Sequence, residues 1–158
     1  MAKKNKIKMI DLFAGCGGLT DGFMQTGEYN DIASVEWKLD PVLTLRKRLK
    51  EKWGKKNADE SVLHFDIQRE DELFGGWNGD SVYGDGIGLD HFIQEVNGID
   101  AIIGGPPCQA YSIAVRVRDE NGMKDDYRNY LFEHYLSIVK RYQPDFFIFE
   151  TRYFECST

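Results

Sequence analysis

Cys108, in the run Pro106-Pro107-Cys108-Gln109, and Glu150, at the end of Phe146-Phe147-Ile148-Phe149-Glu150, are the residues of this sequence best suited to covalent chemistry. A cysteine attacks as its thiolate, and two prolines just past a strand end hold it rigidly toward a cleft. A carboxylate delivered to the same edge makes a cysteine–carboxylate pair. Read alone, Cys108 fits an inert turn cysteine better, because free cysteines commonly behave as small buried hydrophobes. A second group is Asp11-Leu12-Phe13-Ala14-Gly15-Cys16-Gly17-Gly18-Leu19, with Glu36 further on. Glycines between a strand and a helix let a ligand approach the backbone. A carboxylate about twenty residues later is where ribose hydroxyls are bound in nucleotide folds. Thr20 stands where the dinucleotide fingerprint needs a third small residue. That weakens a nicotinamide reading and favours a nucleoside ligand without pyrophosphate, such as S-adenosylmethionine. The same turn also fits a tight strand–helix connection with no ligand.

Trp37, next to Glu36, has the shape to stack on an adenine, and Asp66, followed by Ile67, can accept a bond from the exocyclic amine. The alternatives are a core aromatic and a helix cap. The polar segment 110–126 carries Arg116, Arg118 and Lys124 among Asp119, Glu120, Asp125 and Asp126. It is long for a βα connection, which suits a lid hinged at Gly122 or a plain exposed loop. His64, His91 and His134 have no metal-ligand spacing, so no metal is expected.

The elements that must position these residues alternate. Short apolar runs at 7–13, 32–36, 62–67, 99–103 and 146–149 read as strands, and 19–25, 89–96 and 127–142 read as helices. A further helix runs to Trp53, with Asp40 as N-cap, Pro41 in its first turn, and Val42, Leu45, Leu49 and Trp53 as its apolar stripe. Segment 75–88, rich in glycine and polar residues, reads as a solvated loop. Such alternation implies an α/β fold with a mostly parallel sheet, whose ligands bind at the carboxyl ends of the strands. Phe13 to Leu19, Glu36, Asp66, Cys108 and Glu150 all fall at those ends.

The 158 residues are 42% hydrophobic and 13% aromatic, enough for one domain with its own core and too apolar for a disordered chain. No apolar run is long enough to span a bilayer, and the basic N-terminus leads into no signal-peptide core, so a cytoplasmic protein is expected. Three cysteines without a C-x-x-C pair argue against a disulfide framework or a zinc site. The formal charge of -6 excludes a chain that grips nucleic acid over its whole surface.

Together these segments resemble the DNA cytosine-5 methyltransferases. Asp11-Leu12-Phe13-Ala14-Gly15-x-Gly17-Gly18 with Gly22-Phe23 is similar to that family's first motif, and Glu36-Trp37 and Asp66-Ile67 to its second and third. Gly105-Pro106-Pro107-Cys108-Gln109-x-x-Ser112 resembles the catalytic motif, Asp126-x-Arg128-Asn129-x-Leu131 the fifth, and Phe147-Ile148-Phe149-Glu150 the start of the sixth. The resemblance implies a Rossmann-like S-adenosylmethionine-dependent methyltransferase that methylates carbon 5 of cytosine in double-stranded DNA, as in restriction–modification systems. Phe13, Ala14, Gly15, Gly17, Gly18, Leu19, Glu36, Trp37, Asp66, Ile67, Pro106 and Leu131 would bind the cofactor. Cys108 and Glu150 would be catalytic, and Ser112, Arg116 and Arg118 would lie on a loop that contacts DNA.

From Thr151 onward the sequence departs from the family's Glu-Asn-Val continuation. The expectation is an incomplete catalytic domain over 1–150, truncated after the fifth strand, and an aberrant tail over 151–158. The target-recognition domain and the eighth and tenth motifs would be absent. A frameshift, a premature stop or a split gene would each produce this ending. The function expected is that of a truncated catalytic part, active with a complementing chain. The alternatives are an inactive remnant that at most binds the cofactor, and a nicotinamide oxidoreductase.

Overall fold

The computed structural model describes residues 5–106 and 131–150. Its centre is a five-stranded sheet in the order β3-β2-β1-β6-β7, with every neighbouring pair parallel. The strands are β1 (Ile7–Leu12), β2 (Tyr29–Glu36), β3 (Val62–His64), β6 (Ala101–Gly104) and β7 (Phe146–Phe149). The helices are α1 (Gly18–Gln25), α2 (Leu39–Trp53), α3 (Ala58–Ser61), α4 (Glu70–Gly75), α5 (Leu89–Glu95) and α6 (Leu131–Tyr142). A separate antiparallel pair consists of β4 (Trp77–Asp80) and β5 (Gly84–Gly86).

The inner strands are mainly apolar because both faces of the sheet are covered, with Asp11, Asp31 and Ser34 as buried polar exceptions. Side chains alternate between the faces. Ile10, Leu12 and Ile102 pack with Phe65, Leu73, Phe92 and Tyr135 on one side. Met9, Ala101 and Ile103 pack with Val42, Leu45 and Leu49 of α2 on the other. The chain leaves β1 toward β2 on one side and reaches β6 on the other, so the order reverses between β1 and β6. Crevices form at the carboxyl ends of such switch points.

The stripe Val42, Leu45 and Leu49 is buried as its spacing predicts. Asp40, however, is not the N-cap. That position belongs to Lys38, which makes no side-chain cap. The Lys38 amide instead donates to Glu36 Oε1 at 2.9 Å, so a carboxylate from the preceding strand steadies the helix start. Asp40 and Pro41 lie inside the first turn, where the helix dipole favours an acid and a missing N–H costs nothing. Segment 75–88 is likewise not a plain solvated loop, because it holds the β4–β5 hairpin. Trp77 is buried and stacks on Phe65 with ring centroids 4.0 Å apart, and Tyr83 packs on the same ring. These two aromatics turn a glycine-rich stretch into a brace behind β3. Asp80 fixes the bend by accepting the amides of Val82 and Tyr83 and ion-pairing with Arg69. The β3 pairing ends at His64, three residues short of the expected strand, and Phe65 bonds back to the Glu36 carbonyl.

Candidate functional site

The carboxyl ends of β1, β2, β3, β6 and β7 lie on one edge of the sheet, because all five run parallel. After β1 the chain makes a tight turn in which Phe13, Gly15 and Gly17 have φ of 61°, 55° and 81°. Left-handed backbone is easy for glycine and rare for phenylalanine, so Phe13 is a strained residue within a constrained turn. Its side chain packs against one core face, while the buried Ala14 belongs to the other.

The three glycines have different surroundings. A Cβ on Gly17 would lie 2.3 Å from Leu45 Cδ1. The turn is therefore pressed against α2, from which Arg48 also donates to the Gly17 carbonyl at 3.4 Å. A Cβ on Gly15 or Gly18 would meet nothing within 4 Å. The backbone there is bordered by open space, the condition a ligand needs to approach it.

Glu36 ends β2 with its side chain almost wholly buried. Its Oε2 accepts the Gly15 amide and its Oε1 the Lys38 amide, both at 2.9 Å. Glu36 thus links the turn after β1 to the start of α2. Trp37 follows and is half exposed, which removes the core alternative, with the Lys38 ammonium over its ring 5.6 Å from the centroid. The Trp37 carbonyl is held by His64 Nε2 at 3.1 Å. A carbonyl can only accept, so Nε2 is the donor, and burial lowers the His64 pKa. Asp66 lies just past β3 and does not cap α4, whose N-cap is Arg69. Its Oδ1 accepts the Gln68 amide at 3.0 Å in a local turn. Ile67 and Leu131 are buried in the larger core cluster, and Leu19 packs against the smaller one.

On the other side of the switch point, Glu150 follows β7 and donates its amide to the Gly104 carbonyl at 2.9 Å. A Cβ on Gly105 would lie 3.5 Å from Glu150 Oε2. The Glu150 carboxylate therefore lies against Gly105, immediately before Pro106-Pro107-Cys108. Cys108, Ser112, Arg116 and Arg118, with segment 110–126, are outside the described residues. Among the described residues no group of three metal-ligating side chains exists, and no helix is long and apolar enough to cross a membrane.

The sequence, which shows Asp11 as the head of the first motif and Thr20 as a departure from the fingerprint, gives neither a role of its own; both are wholly buried beneath the turn. Thr20 Oγ1 donates to Asp11 Oδ2 at 2.6 Å. Thr20 therefore fills the fingerprint's third small position for a reason: its hydroxyl ties α1 to β1. The signal was an acid between the apolar residues Ile10 and Leu12 of the strand.

Comparison with known proteins finds a family model, C-5 cytosine-specific DNA methylase, matching residues 7–151. The type II methyltransferase M.Bpa9945I of Bacillus paralicheniformis is 32% identical, over 90% of this chain and 40% of its own length. The type II methyltransferase M.DdeI of Desulfomicrobium norvegicum is 35% identical, over 91% of this chain and 27% of its own length. The 158 residues thus span two fifths or less of these two curated relatives. A crystal structure of a mutant DNMT2 from Spodoptera frugiperda shares the fold, with a TM-score of 0.56 and 19% identity, over 97% of this chain and 38% of that one.

Proposed function

The chain belongs to the C-5 cytosine-specific DNA methylase family, and from that premise we propose that it is the catalytic part of a type II DNA cytosine-5 methyltransferase using S-adenosylmethionine. The observation that carries the proposal is the Glu36 carboxylate at the carboxyl edge, bonded to the amide of Gly15 beside space that a ligand can fill.

In this reading residues 1–150 form the catalytic domain. Glu36 bonds the cofactor's ribose, Trp37 stacks on its adenine, and Asp66 receives the adenine amine. Phe13, Ala14, Gly15, Gly17, Gly18, Leu19, Ile67, Pro106 and Leu131 complete the pocket. The open space beside Gly15 and Gly18 and the acid at the strand end fit such a nucleoside. S-adenosylmethionine supplies an electrophilic methyl group for carbon 5 of the cytosine.

The protein's own task is to make carbon 5 nucleophilic, since an aromatic ring carbon is otherwise inert. The Cys108 thiolate adds to carbon 6 of a cytosine turned out of the duplex. The Glu150 carboxyl accepts a hydrogen bond from the amine and hands a proton to ring nitrogen 3, neutralising the charge that the addition drives into the ring. After methylation a water molecule takes the carbon 5 proton and the Cys108–carbon 6 bond breaks, its electron pair returning to sulfur, which restores the aromatic ring and the thiolate. Covalent addition splits one difficult step into easier ones. Turning the base out costs roughly a few kcal/mol, which contacts to the duplex must offset. Ser112, Arg116 and Arg118 supply some of these contacts, and groups outside these 158 residues, in the same or a complementing chain, supply those that read sequence.

The test is transfer of labelled methyl from S-adenosylmethionine to duplex DNA by the chain together with the remaining segments of a full-length relative supplied in trans. The expected result is transfer that Cys108→Ser abolishes, because a hydroxyl is a far weaker nucleophile than a thiolate. Transfer that survives Cys108→Ser would overturn the reading. The 158-residue chain alone should bind S-adenosylhomocysteine weakly and transfer no methyl group.

A further inference from the structure

Asp11 is left without a task by this chemistry. It lies in the middle strand of the sheet between the apolar residues Ile10 and Leu12, with no exposed surface. Its Oδ2 accepts the Thr20 hydroxyl, while its Oδ1, also buried, has no hydrogen-bond partner among the described residues. A buried carboxyl with an unmet oxygen is costly, and an apolar residue would avoid the cost. Thr20 is in the first turn of α1, whose N-cap is Gly17, a residue with no side chain to cap the helix. Between these two anchors run Phe13, Gly15 and Gly17, all with left-handed backbone. A strained turn keeps its shape only when its surroundings over-determine it. The Asp11–Thr20 bond joins the two ends of this one.

We propose that Asp11 is a positioning residue for the cofactor pocket: through Thr20 it locks the 13–17 turn in the shape that aims the Gly15 amide at Glu36 and leaves space beside Gly15 and Gly18. This rests on the reading that the turn binds S-adenosylmethionine. The titratable groups around Asp11 are Asp31 and Glu36 from β2 and Tyr135 from α6. The β6 residue beside it, Ile103, is apolar, and α1 contributes the neutral Thr20. Asp31 is itself ion-paired to Lys55. Burial above all, reinforced by the charges of Asp31 and Glu36 against the Thr20 hydrogen bond, pushes the Asp11 carboxyl up to about 7. Ionisation then places another negative charge beside Glu36 without a donor for Oδ1. Ionisation strengthens the Thr20 bond itself, but the added charge, buried and repelled by Asp31 and Glu36, costs more, and opening of the turn to solvent relieves it; the closed turn is therefore favoured when Asp11 is neutral.

Titration calorimetry of the 158-residue chain with S-adenosylhomocysteine, between about pH 6 and pH 8, tests this. The affinity of the unsubstituted chain should weaken several-fold as pH rises through about 7. Asp11→Asn, neutral at every pH, should bind with an affinity that no longer changes with pH. Thr20→Val should bind tenfold or more weakly while circular dichroism shows the fold intact, and Thr20→Ser, which restores the hydroxyl, should recover the affinity. Thr20→Val that melts earlier yet binds like the unsubstituted chain would make the bond merely structural and overturn the proposal. If Thr20→Val does not fold, the Asp11→Asn profile decides, and one that follows the unsubstituted chain overturns it. No binding by the folded, unsubstituted chain at millimolar ligand would sink the cofactor reading itself, and this inference with it.

Discussion

The Gly15 amide donates to Glu36 Oε2 at 2.9 Å, joining the turn after the first strand to the end of the second. The other Glu36 oxygen holds the Lys38 amide, so one carboxylate organises the turn and the start of α2 at the proposed ribose position. If this residue holds ligand as well as scaffold, as proposed, changing it has consequences for both.

Glu36→Ala should therefore lower S-adenosylhomocysteine affinity by about tenfold to a hundredfold, since hydrogen bonds to a charged group contribute roughly 1.5–3 kcal/mol. It should also lower the melting temperature, because two backbone donors lose their acceptor. Calorimetry and thermal melting read the two effects separately. An unchanged affinity would remove Glu36 from the pocket.

Gly17 and Gly18 are neighbours with opposite expectations. Gly17→Ala puts a methyl group 2.3 Å from Leu45 Cδ1 at a φ of 81°, and should destabilise the chain by about 1–3 kcal/mol in urea unfolding. Adding Leu45→Ala should not restore stability, because the backbone strain remains and a cavity opens in the core. Gly18→Ala meets no atom within 4 Å and should leave stability within about 0.5 kcal/mol while weakening ligand binding. Equal loss of stability in both variants would contradict this packing.

Folding stability should carry the pH signature of Asp11. Its pKa in the fold, about 7, lies above the ordinary carboxylate value of 3.8. The folded state thus holds the extra proton between these values. The contribution is fully present below pH 3.8 and is lost as pH rises through about 7. Asp11→Asn should remove that part of the slope. Chemical denaturation at several pH values across the interval checks it, and identical slopes for both proteins would count against a buried neutral carboxyl.

Among the described residues β7 is an outer strand of the sheet, and Phe147 on it is 50% exposed. An apolar edge of this kind is a template for pairing with another chain. The 158-residue chain should associate as its concentration rises, and Phe147→Lys should reduce that association in light scattering. A monomer at all concentrations would show that the edge is protected.

Much of this molecule was legible in its sequence. Runs of apolar residues between helical stripes dictated parallel strands. In a parallel sheet every carboxyl end falls on one edge, so Glu36, Asp66 and Glu150 were bound to meet there. Those patterns are local, with periods that the backbone imposes. Four features needed the tertiary structure. Trp77 and Tyr83 make a hairpin of a glycine-rich stretch only because Phe65 presents a ring to stack on. Lys38 rather than Asp40 begins α2 because Glu36 is within reach of its amide. Gly17 is required by Leu45, which comes 28 positions later in the chain. Asp11 and Thr20 look like exceptions to their local patterns until the turn between them brings carboxyl and hydroxyl to 2.6 Å. In each case the deciding contact joins residues that no local period relates, and only the folded chain brings them together.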